Sequence, residues 1–237
     1  MQDKKVAIVQ ARMGSSRLPG KSLAYLGEHR LIDWVIKRLE GSRYIDAVVV
    51  AVPDTSMDDE LVDRVHDVSE DFLVLRGDEN DVMGRFVSAS REEKADVVVR
   101  ICADSPFTDV TEVDKAIALY LVYKEGIVFN HTPRSGLNIA DGFGAEVFSA
   151  NDLYASYKVA GSRPNVMEHV TTQFYQSLYG PVRSPIVPET LRRSDLRFDV
   201  DTAADLEYLN SLTNCGVNIG STAPEIVRIA DQVRYDR

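Results

Sequence analysis

A basic, glycine-rich loop that directly follows a short apolar run is the feature that most constrains this sequence. The run is Val6-Ala7-Ile8-Val9, and the loop is QARMGSSRLPGKS, residues 10 to 22. A β-branched strand that leads into such a loop is how an α/β protein presents backbone N–H groups to a phosphate. Arg12, Arg17 and Lys21 add local positive charge. The sequence therefore predicts an α/β fold with a phosphate-binding loop after its first strand.

The loop differs from the P-loop of nucleoside triphosphatases. Gly14, Gly20, Lys21 and Ser22 supply similar letters, but that motif needs four residues between its glycines, and here there are five. One of the five is Pro19, whose missing N–H removes a donor from any nest around a phosphate. A solvated basic surface loop is the alternative, although such a loop needs no such density of Arg, Lys, Gly and Ser. We therefore expect a phosphate-binding loop of another kind.

Beyond the loop, short apolar runs alternate with amphipathic segments. This alternation predicts a doubly wound, mostly parallel sheet with helices on both faces. Ligands of such sheets bind at the carboxyl ends of the strands. The predicted strands are Ala47 to Val52, Asp71 to Leu75 and Ala95 to Ile101, and the predicted helices are 31–39, 58–68, 80–94 and 111–124. The loop 10–22, Arg76-Gly77-Asp78 and Ala103-Asp104-Ser105-Pro106 all fall at strand ends.

The regular alternation ends near residue 126. The pattern predicts short strands at Ile127 to Asn130 and Ala145 to Phe148, a loop over 134–144 and a helix over 165–178. It then predicts a strand at Arg197 to Asp201, a helix over 203–212 capped by Thr202, and a final helix over 223–235. Because no linker separates these segments, we expect residues 1–237 to form one domain.

Composition excludes several classes of protein. A net charge of −10 argues against a general nucleic-acid binder. No apolar run approaches the roughly 18 residues of a membrane span, and a strand-like run rather than a signal peptide follows Met1 to Lys5. We therefore expect a cytoplasmic protein with no membrane partner. Cys102 and Cys215 lie too far apart in sequence to indicate a disulfide framework or a zinc site.

Three aspartates follow or lie on predicted strands and could bind Mg²⁺, which prefers hard carboxylates together with water and phosphate oxygens. Asp104 follows a strand of the buried type, whereas Asp199 and Asp201 flank Val200, and alternation puts both on one face. A solvated strand face is the alternative explanation for that pair. Since neighbouring parallel strands share one crevice at their carboxyl ends, we expect Asp104 and Asp201 to meet there.

The loop residues Ala11, Arg12, Gly14, Ser15, Pro19 and Lys21 spell the pattern A-R-x-G-S-x-x-x-P-x-K. This pattern resembles the signature of the cytidylyltransferase family that activates acidic sugars as CMP conjugates. The loop sequence QARMGSSRLPGK is most similar to that of the SpsF-like group of spore coat polysaccharide biosynthesis. The segments A-D-S-P, at 103–106, and D-V-D-T-A-A-D-L, at 199–206, are similar to two further motifs of the family.

The resemblance implies a nucleotidyltransferase fold and a Mg²⁺-dependent transfer from CTP to a small anionic acceptor, with release of pyrophosphate. It implies a homodimer in which an excursion, residues 126–190, covers the acceptor. The implied catalytic residues are Arg12, Lys21, Asp104 and Asp201, and the implied metal ligands are Asp104, Asp199 and Asp201. The implied nucleotide contacts are Ala11, Arg12, Gly14, Ser15, Lys21, Arg76 and Arg85. Asp205 is expected to be structural, because its charge suits the start of a helix.

Two of these residues have distinct expected roles. By resemblance, Arg76 corresponds to an arginine that hydrogen-bonds the cytosine, and Arg85 to a second recurrent arginine. For Arg85, an ordinary ion pair on a helix surface is the alternative. Lys21 suits the departing pyrophosphate as a compact charge, and Arg12 suits phosphate through its fork.

The sequence also departs from the family. Ser22 and Cys102 stand where members that act on eight- and nine-carbon keto acids have Asn and Gln. The usual keto-sugar acceptors are therefore in doubt. Polar candidates for acceptor recognition are Arg134, Asn138, Asp141, Glu146, Arg163, Glu168 and His169, the last also a possible proton acceptor. Two other functions remain open. One is a GT-A-type glycosyltransferase, although its donor, a nucleoside diphosphate sugar, offers no triphosphate for Lys21 to bind. The other is a non-catalytic partner-binding domain of the same fold.

Overall fold

The computed structural model describes residues 3–130, 139–161, 170–176 and 178–235. The strands are β1 (Lys5–Gln10), β2 (Tyr25–Leu26), β3 (His29–Arg30), β4 (Ala47–Pro53), β5 (Leu73–Gly77), β6 (Val97–Cys102), β7 (Ile127–Phe129), β8 (Glu146–Ser149) and β9 (Val182–Arg183). The helices are α1 (Leu31–Leu39), α2 (Asp59–Val68), α3 (Val82–Glu92), α4 (Val110–Tyr123), α5 (Ala150–Ala160), α6 (Thr172–Tyr175), α7 (Ala203–Asn214) and α8 (Ala223–Tyr235).

Seven of the strands form one sheet, in the order β5-β4-β1-β6-β8-β7-β9. The central strand β1 pairs in parallel with β4 and β6, with Val6 beside Ala47 on one side and Val98 on the other. Beyond β6, strand β8 runs antiparallel to both of its neighbours, β6 and β7. Strands β7 and β9 therefore run in the same direction as β1. The predicted doubly wound, mostly parallel sheet is confirmed. The continuous apolar runs of β1, β4 and β6 reflect burial on both faces.

Side chains alternate along β1 and reach helices on both sides of the sheet. Ala7 and Val9 pack with buried residues of α1, α2 and α4, whereas Val6 and Ile8 pack with those of α3, α5 and α6. A third apolar cluster joins α1 to α7 and α8 at one end of the molecule. Trp34 belongs to that cluster, is buried, and donates its indole N–H to the carbonyl of Leu26 at 3.0 Å. Trp34 is therefore a core residue.

A single buried carboxylate starts two helices. Asp109 accepts hydrogen bonds from the backbone N–H groups of Thr111 and Glu112, in the first turn of α4. Its other oxygen accepts from the N–H of Ala223, the first residue of α8, at 2.6 Å. Arg38 lies 3.7 Å from the same carboxylate and donates to the carbonyl of Thr108. This cluster anchors the segment that precedes α4, which carries Asp104.

The start of α7 is a capping box. Thr202 accepts a hydrogen bond from the N–H of Asp205, and the Asp205 carboxylate accepts from the N–H of Thr202 at 2.8 Å. Such reciprocal bonds satisfy N–H groups that the first turn of a helix leaves without partners. The predicted cap at Thr202 and the structural role of Asp205 are therefore confirmed.

The prediction of a strand at Arg197 to Asp201 is wrong. Among the described residues, the segment forms one isolated bridge, between Arg197 and Asp141, and Val200 donates its N–H to the carbonyl of Asp104 at 2.8 Å. The alternation of apolar and acidic residues has another cause. Phe198 and Val200 are fully buried in the third apolar cluster, whereas Asp199 and Asp201 contact Arg197. The two aspartates do share a side of the segment, as alternation predicts, but no ladder of hydrogen bonds accompanies it.

Several elements were not expected from the sequence, and one predicted helix is only partly described. The unexpected elements are α5, which begins at the Ser149 cap, the small hairpin of β2 and β3, and β9, which pairs in parallel with β7. Of the predicted helix 165–178, residues 172–175 are helical, and residues 165–169 and 177 lie outside the described residues. Arg134, Asn138, Arg163, Glu168 and His169 also lie outside them.

Candidate active site

A polar cleft of about 240 Å³ opens at the carboxyl ends of β1 and β6. It brings together the three sequence stretches that carry the family-like motifs. The residues that line it are Gln10, Ala11, Arg12, Ser15, Ser16, Arg17, Lys21, Ser22, Val82, Arg100, Ala103, Asp104 and Asp201. Since ligands of doubly wound sheets bind at this edge, the cleft lies where a substrate is expected.

The loop 10–22 is held in a defined shape by its own hydrogen bonds. The carbonyl of Met13 accepts from the N–H of Gly20 at 2.9 Å, which closes the loop. Gly20 has a φ of +73°, a left-handed conformation that suits glycine, and it leads into the 3-10 turn Lys21–Leu23. Ser22 is buried and donates its hydroxyl to the carbonyl of Arg12 at 2.9 Å. The serine that replaces the family's Asn thus fixes the loop from inside.

Lys21 lies at the centre of the cleft. Its ammonium donates to Asp104 Oδ2 at 2.9 Å, to the carbonyl of Val200 at 2.7 Å and to Asp201 Oδ1 at 3.3 Å. The Lys21 side chain is only 13% exposed. One cation therefore joins two carboxylates that are far apart in sequence, and both lie where the topology predicted.

Asp201 is surrounded by positive charge. Besides Lys21, it contacts Arg17 at 3.0 Å and Arg197 at 2.6 Å. Burial acts to raise the pKa of Asp201, but Arg197, Lys21 and Arg17 outweigh it and hold that pKa below its usual value. Both oxygens of Asp199 accept from Arg197, yet burial prevails there and raises the pKa of Asp199. Asp201 is therefore the more firmly ionised of the two.

The oxygens around the Lys21 ammonium are suited to a divalent cation. Two carboxylates and the Val200 carbonyl are hard donors, and the ammonium they now hold is itself a cation. Asp104 and Asp201, which both contact the Lys21 ammonium, are thus the residues that could hold Mg²⁺, whereas both oxygens of Asp199 are engaged by Arg197. Within the described residues, no group of three or more His, Cys, Asp or Glu side chains gathers for a metal. A Mg²⁺ ion there would depend on further oxygens from substrate and water.

The loop cation Arg12 is available to a ligand. It lines the cleft, and no hydrogen bond or ion pair of its guanidinium is found within the described part of the chain. Ala11 and Ser15 line the cleft beside it. Gly14 packs against the segment that follows β5, since a Cβ added there would lie 3.2 Å from a Glu79 carboxylate oxygen. The loop therefore presents the positive charge of Arg12 to the cleft, and it packs through Gly14 against the segment that follows β5.

Arg76 lies outside the lining of the cleft. Its guanidinium contacts Asp59 at 2.6 Å and donates to the carbonyl of Thr55 at 3.2 Å. The Arg76 side chain is 30% exposed. The structure therefore does not bring Arg76 together with Lys21 and the aspartates in this arrangement.

Arg85 is buried, with 2% of its surface exposed, so the alternative of a surface ion pair is wrong. Its Nη1 donates to the carbonyls of Asp78 and Glu79, whereas Nε and Nη2 have no partner among the described residues. Gly77 makes room for the side chain, because a Cβ there would lie 2.8 Å from Arg85 Cγ. Burial, and then the charge of Arg12, lower the pKa of Arg85. Both of these unpaired donors are buried, and Arg85, like Arg76, is not among the residues that line the cleft.

Arg100 also lines the cleft, although it was not predicted to do so from the sequence. It lies on β6 and contacts Glu146 of β8 at 2.7 Å. The signal was an arginine inside the apolar run VVVRIC, which a strand buried on both faces does not need. Cys102, two residues on, is neutral at physiological pH because burial raises its pKa to about 12.

A family model described as cytidylyltransferase matches residues 6–223. The chain belongs to the cytidylyltransferase family. It is therefore a nucleotidyltransferase that uses CTP, and the glycosyltransferase and partner-binding alternatives are set aside. Within the described residues, no helix has the length and apolar character to cross a membrane.

Relatives agree with this family in sequence and in fold. The chain is 32% identical over 232 residues to the spore coat polysaccharide biosynthesis protein SpsF of Bacillus subtilis, covering 95% of this chain and 93% of that one. A cytidylyltransferase structure from Leptospira borgpetersenii has a TM-score of 0.86 at 23% identity, covering 99% and 95% of the two chains. CMP:2-keto-3-deoxy-manno-octonic acid synthetase complexed with CTP has a TM-score of 0.65 at 16% identity, covering 90% and 100%.

Proposed function

We propose that this cytidylyltransferase couples CTP to a small anionic acceptor in a Mg²⁺-dependent reaction that releases pyrophosphate. The observation that carries the proposal is the Lys21 ammonium, which lies between Asp104 and Asp201 at the end of the loop. An acceptor oxygen must attack the α-phosphorus in line while pyrophosphate leaves, so positioning and charge account for most of the catalysis.

The loop residues would bind the triphosphate. Arg12 can bind phosphate oxygens through its fork, and the Lys21 ammonium can leave the aspartates to neutralise the departing pyrophosphate. Arg17, whose side chain is 61% exposed and pairs with Asp201, can likewise move to the departing pyrophosphate. Asp104 and Asp201 would hold Mg²⁺, with Asp199 and Arg197 supporting Asp201 from behind. Bound there, the ion would offset negative charge on the phosphate oxygens.

The base of CTP would lie towards β5 and α3. Arg85 has unused donors there, and Val82 of the same helix lines the cleft. Arg76 would have to exchange its contact with Asp59 for one with the base. Since that contact is 60% exposed on the Asp59 side, the exchange costs little.

The proposal extends to the setting of the reaction. The likeness to a spore coat polysaccharide biosynthesis protein supports a role in supplying a surface polysaccharide or a similar conjugate. We expect the reaction in the cytoplasm, where CTP is available. A homodimer formed through the excursion 126–190 is part of the proposal, and the exposed apolar side chains of Leu178 and Ile186 support it.

The experiment is a pyrophosphate-release assay with purified protein, Mg²⁺ and a panel of acidic sugars, phosphonates and sugar phosphates. Release with CTP and at least one anionic acceptor is expected, with no release when Mg²⁺ is chelated. UTP, ATP and GTP serve as matched controls for the nucleotide. Release that does not depend on an acceptor, or that persists without a divalent cation, would overturn the corresponding part of the proposal.

A further inference from the structure

Arg100 lies on the strand that separates the two halves of the sheet. On one side, β6 pairs Arg100 with Ile8 of β1, the strand that leads into the phosphate loop. On the other side, it pairs Arg100 with Glu146 of the antiparallel strand β8. Arg100 also lines the cleft. It therefore borders the ligand space from the strand next to the one that leads into the loop.

Two neighbours fix the Arg100 guanidinium, and a third fixes one of those two. Nη1 donates to Glu146 Oε2 at 2.7 Å, and Nη2 donates to the Gln10 side-chain oxygen at 3.3 Å. Glu146 is 2% exposed, and its other oxygen accepts from the Tyr175 hydroxyl at 2.6 Å. A guanidinium has five N–H donors, so these contacts orient the fork without using all of them. The side chain is 15% exposed, which leaves part of it open to the cleft.

A purely structural explanation of the pair is weak. Burying an arginine and a glutamate costs desolvation that their attraction roughly offsets, so such a pair adds little to stability. A pair that served only to join β6 to β8 would have no reason to border a substrate cleft. Holding the fork in one plane, by contrast, prepares it for a planar anion.

The distribution of charge assigns Arg100 to the acceptor. Arg12, Arg17 and Lys21 belong to the phosphate loop, and the last two are paired with the aspartates. Of the arginines that line the cleft in the described part of the chain, Arg100 is the one outside that loop. An anionic group near the reacting oxygen needs such a cation.

We propose that Arg100 is the specificity-determining residue for the acceptor, and that its guanidinium binds the acceptor's carboxylate or phosphate group. Glu146 and Gln10 are positioning residues, which hold the plane of that fork. The inference rests on the proposed function, because it places the acceptor in the same cleft as CTP. It deepens that function by assigning the acceptor's anion to one side chain.

The test compares Arg100→Lys and Arg100→Gln with wild type in the pyrophosphate assay, with the best acceptor of the panel varied at saturating CTP. Losing a charge-assisted fork should raise the acceptor KM at least tenfold in Arg100→Lys, and further in Arg100→Gln. The KM for CTP and the thermal shift given by CTP should stay within about twofold. The matched control is Arg193→Gln, which removes an Arg–Asp contact, to Asp231 at 2.7 Å, outside both the cleft and the excursion 126–190. It should leave both KM values unchanged.

An unchanged acceptor KM in Arg100→Gln would overturn the inference, and so would an equal loss of CTP affinity. A second measurement does not need turnover. In CTP-loaded wild-type protein, the Arg100 Nε–H NMR signal, assigned by its absence from Arg100→Lys, should shift with acetate or with inorganic phosphate, and the one that acts at lower concentration identifies the anion. No shift with either would overturn the inference. If no acceptor supports pyrophosphate release but this signal shifts, the proposed acceptor panel fails and the anion subsite stands.

Discussion

Replacing Lys21 by Met tests whether its ammonium serves the folded chain or the reaction. Met keeps most of the apolar stem and removes the charge that contacts Asp104 at 2.9 Å and Asp201 at 3.3 Å. At an effective dielectric of about 20, each contact is worth roughly 5 kcal/mol of Coulomb attraction before desolvation. The ammonium regains hydration when the protein unfolds, and the Asp104 side chain is 32% exposed. We therefore expect a net loss of only about 1–3 kcal/mol in the free energy of unfolding.

The loss of turnover should be larger. A preorganised charge that stabilises the transition state is worth about 10²–10³ in rate, or roughly 2.7–4 kcal/mol. Pyrophosphate release at saturating CTP measures that loss, and thermal melting measures stability, with about 2–4 °C expected per kcal/mol for a chain of this size. Lys21→Met should also bind Mg²⁺ more tightly without CTP, because the ammonium no longer competes for the two carboxylates.

The matched control is Lys115→Met, which removes a Lys–Glu contact of 2.6 Å, to Glu112 on α4, outside the cleft. It should keep wild-type turnover. If Lys21→Met turned over within about threefold of wild type, or lost no more activity than Lys115→Met, the ammonium would have no part in the reaction and the reasoning would be refuted.

Three further predictions concern the same region. Asp104→Asn and Asp201→Asn should each abolish pyrophosphate release with little change in melting temperature, and the double variant should lose no more than the worse single one; multiplicative losses would contradict one shared site. CTP should give the largest thermal shift of the four triphosphates, and Arg85→Lys should reduce it; equal shifts would contradict a cytosine pocket. Burial acts to raise the pKa of Asp205, but hydrogen bonds from Thr202 outweigh it and hold that pKa below its usual value. The stability that the ionised carboxylate gives the folded protein is therefore present above about pH 4 and is lost as pH falls through that pKa. Urea melts of Asp205→Asn should therefore show a flatter loss of stability below pH 4, and an acid limb identical to wild type would count against it.

The parallel half of the fold was predictable because its signals are local. A strand buried on both faces reads as a continuous apolar run, and β1, β4 and β6 do so. Helix α5 escaped prediction because its buried side includes Ser156 and Ala160, small or polar residues that leave no clear apolar stripe. The strand prediction for segment 197–201 was wrong although its pattern was clear. Alternation shows which side chains are buried, but it does not show whether another strand lies alongside to pair with.

The site was predictable where residues reach the cleft from strand ends, and not where they depend on distant partners. Asp104 reaches the cleft from the end of β6, as predicted. Asp201 lies beside it because the Val200 N–H donates to the Asp104 carbonyl at 2.8 Å, and not because its segment is a strand of the sheet. Arg85, however, owes its burial to the missing side chain of Gly77, and Arg100 owes its fixed plane to Glu146, 46 positions away. No spacing in the sequence reveals either relation.

The carboxylate of Asp109 ties the end of the described chain to the cleft. Because α4 and α8 begin at the same side chain, α8 cannot detach without leaving Asp109 and Arg38 buried and short of partners. Opening of the last helix is therefore thermodynamically linked to loosening of the turn that carries Asp104, five residues before the shared cap. Amide protons in α8 and in that turn should consequently exchange with solvent through one common opening, so that a substitution which loosens α8 also loosens the turn that carries Asp104.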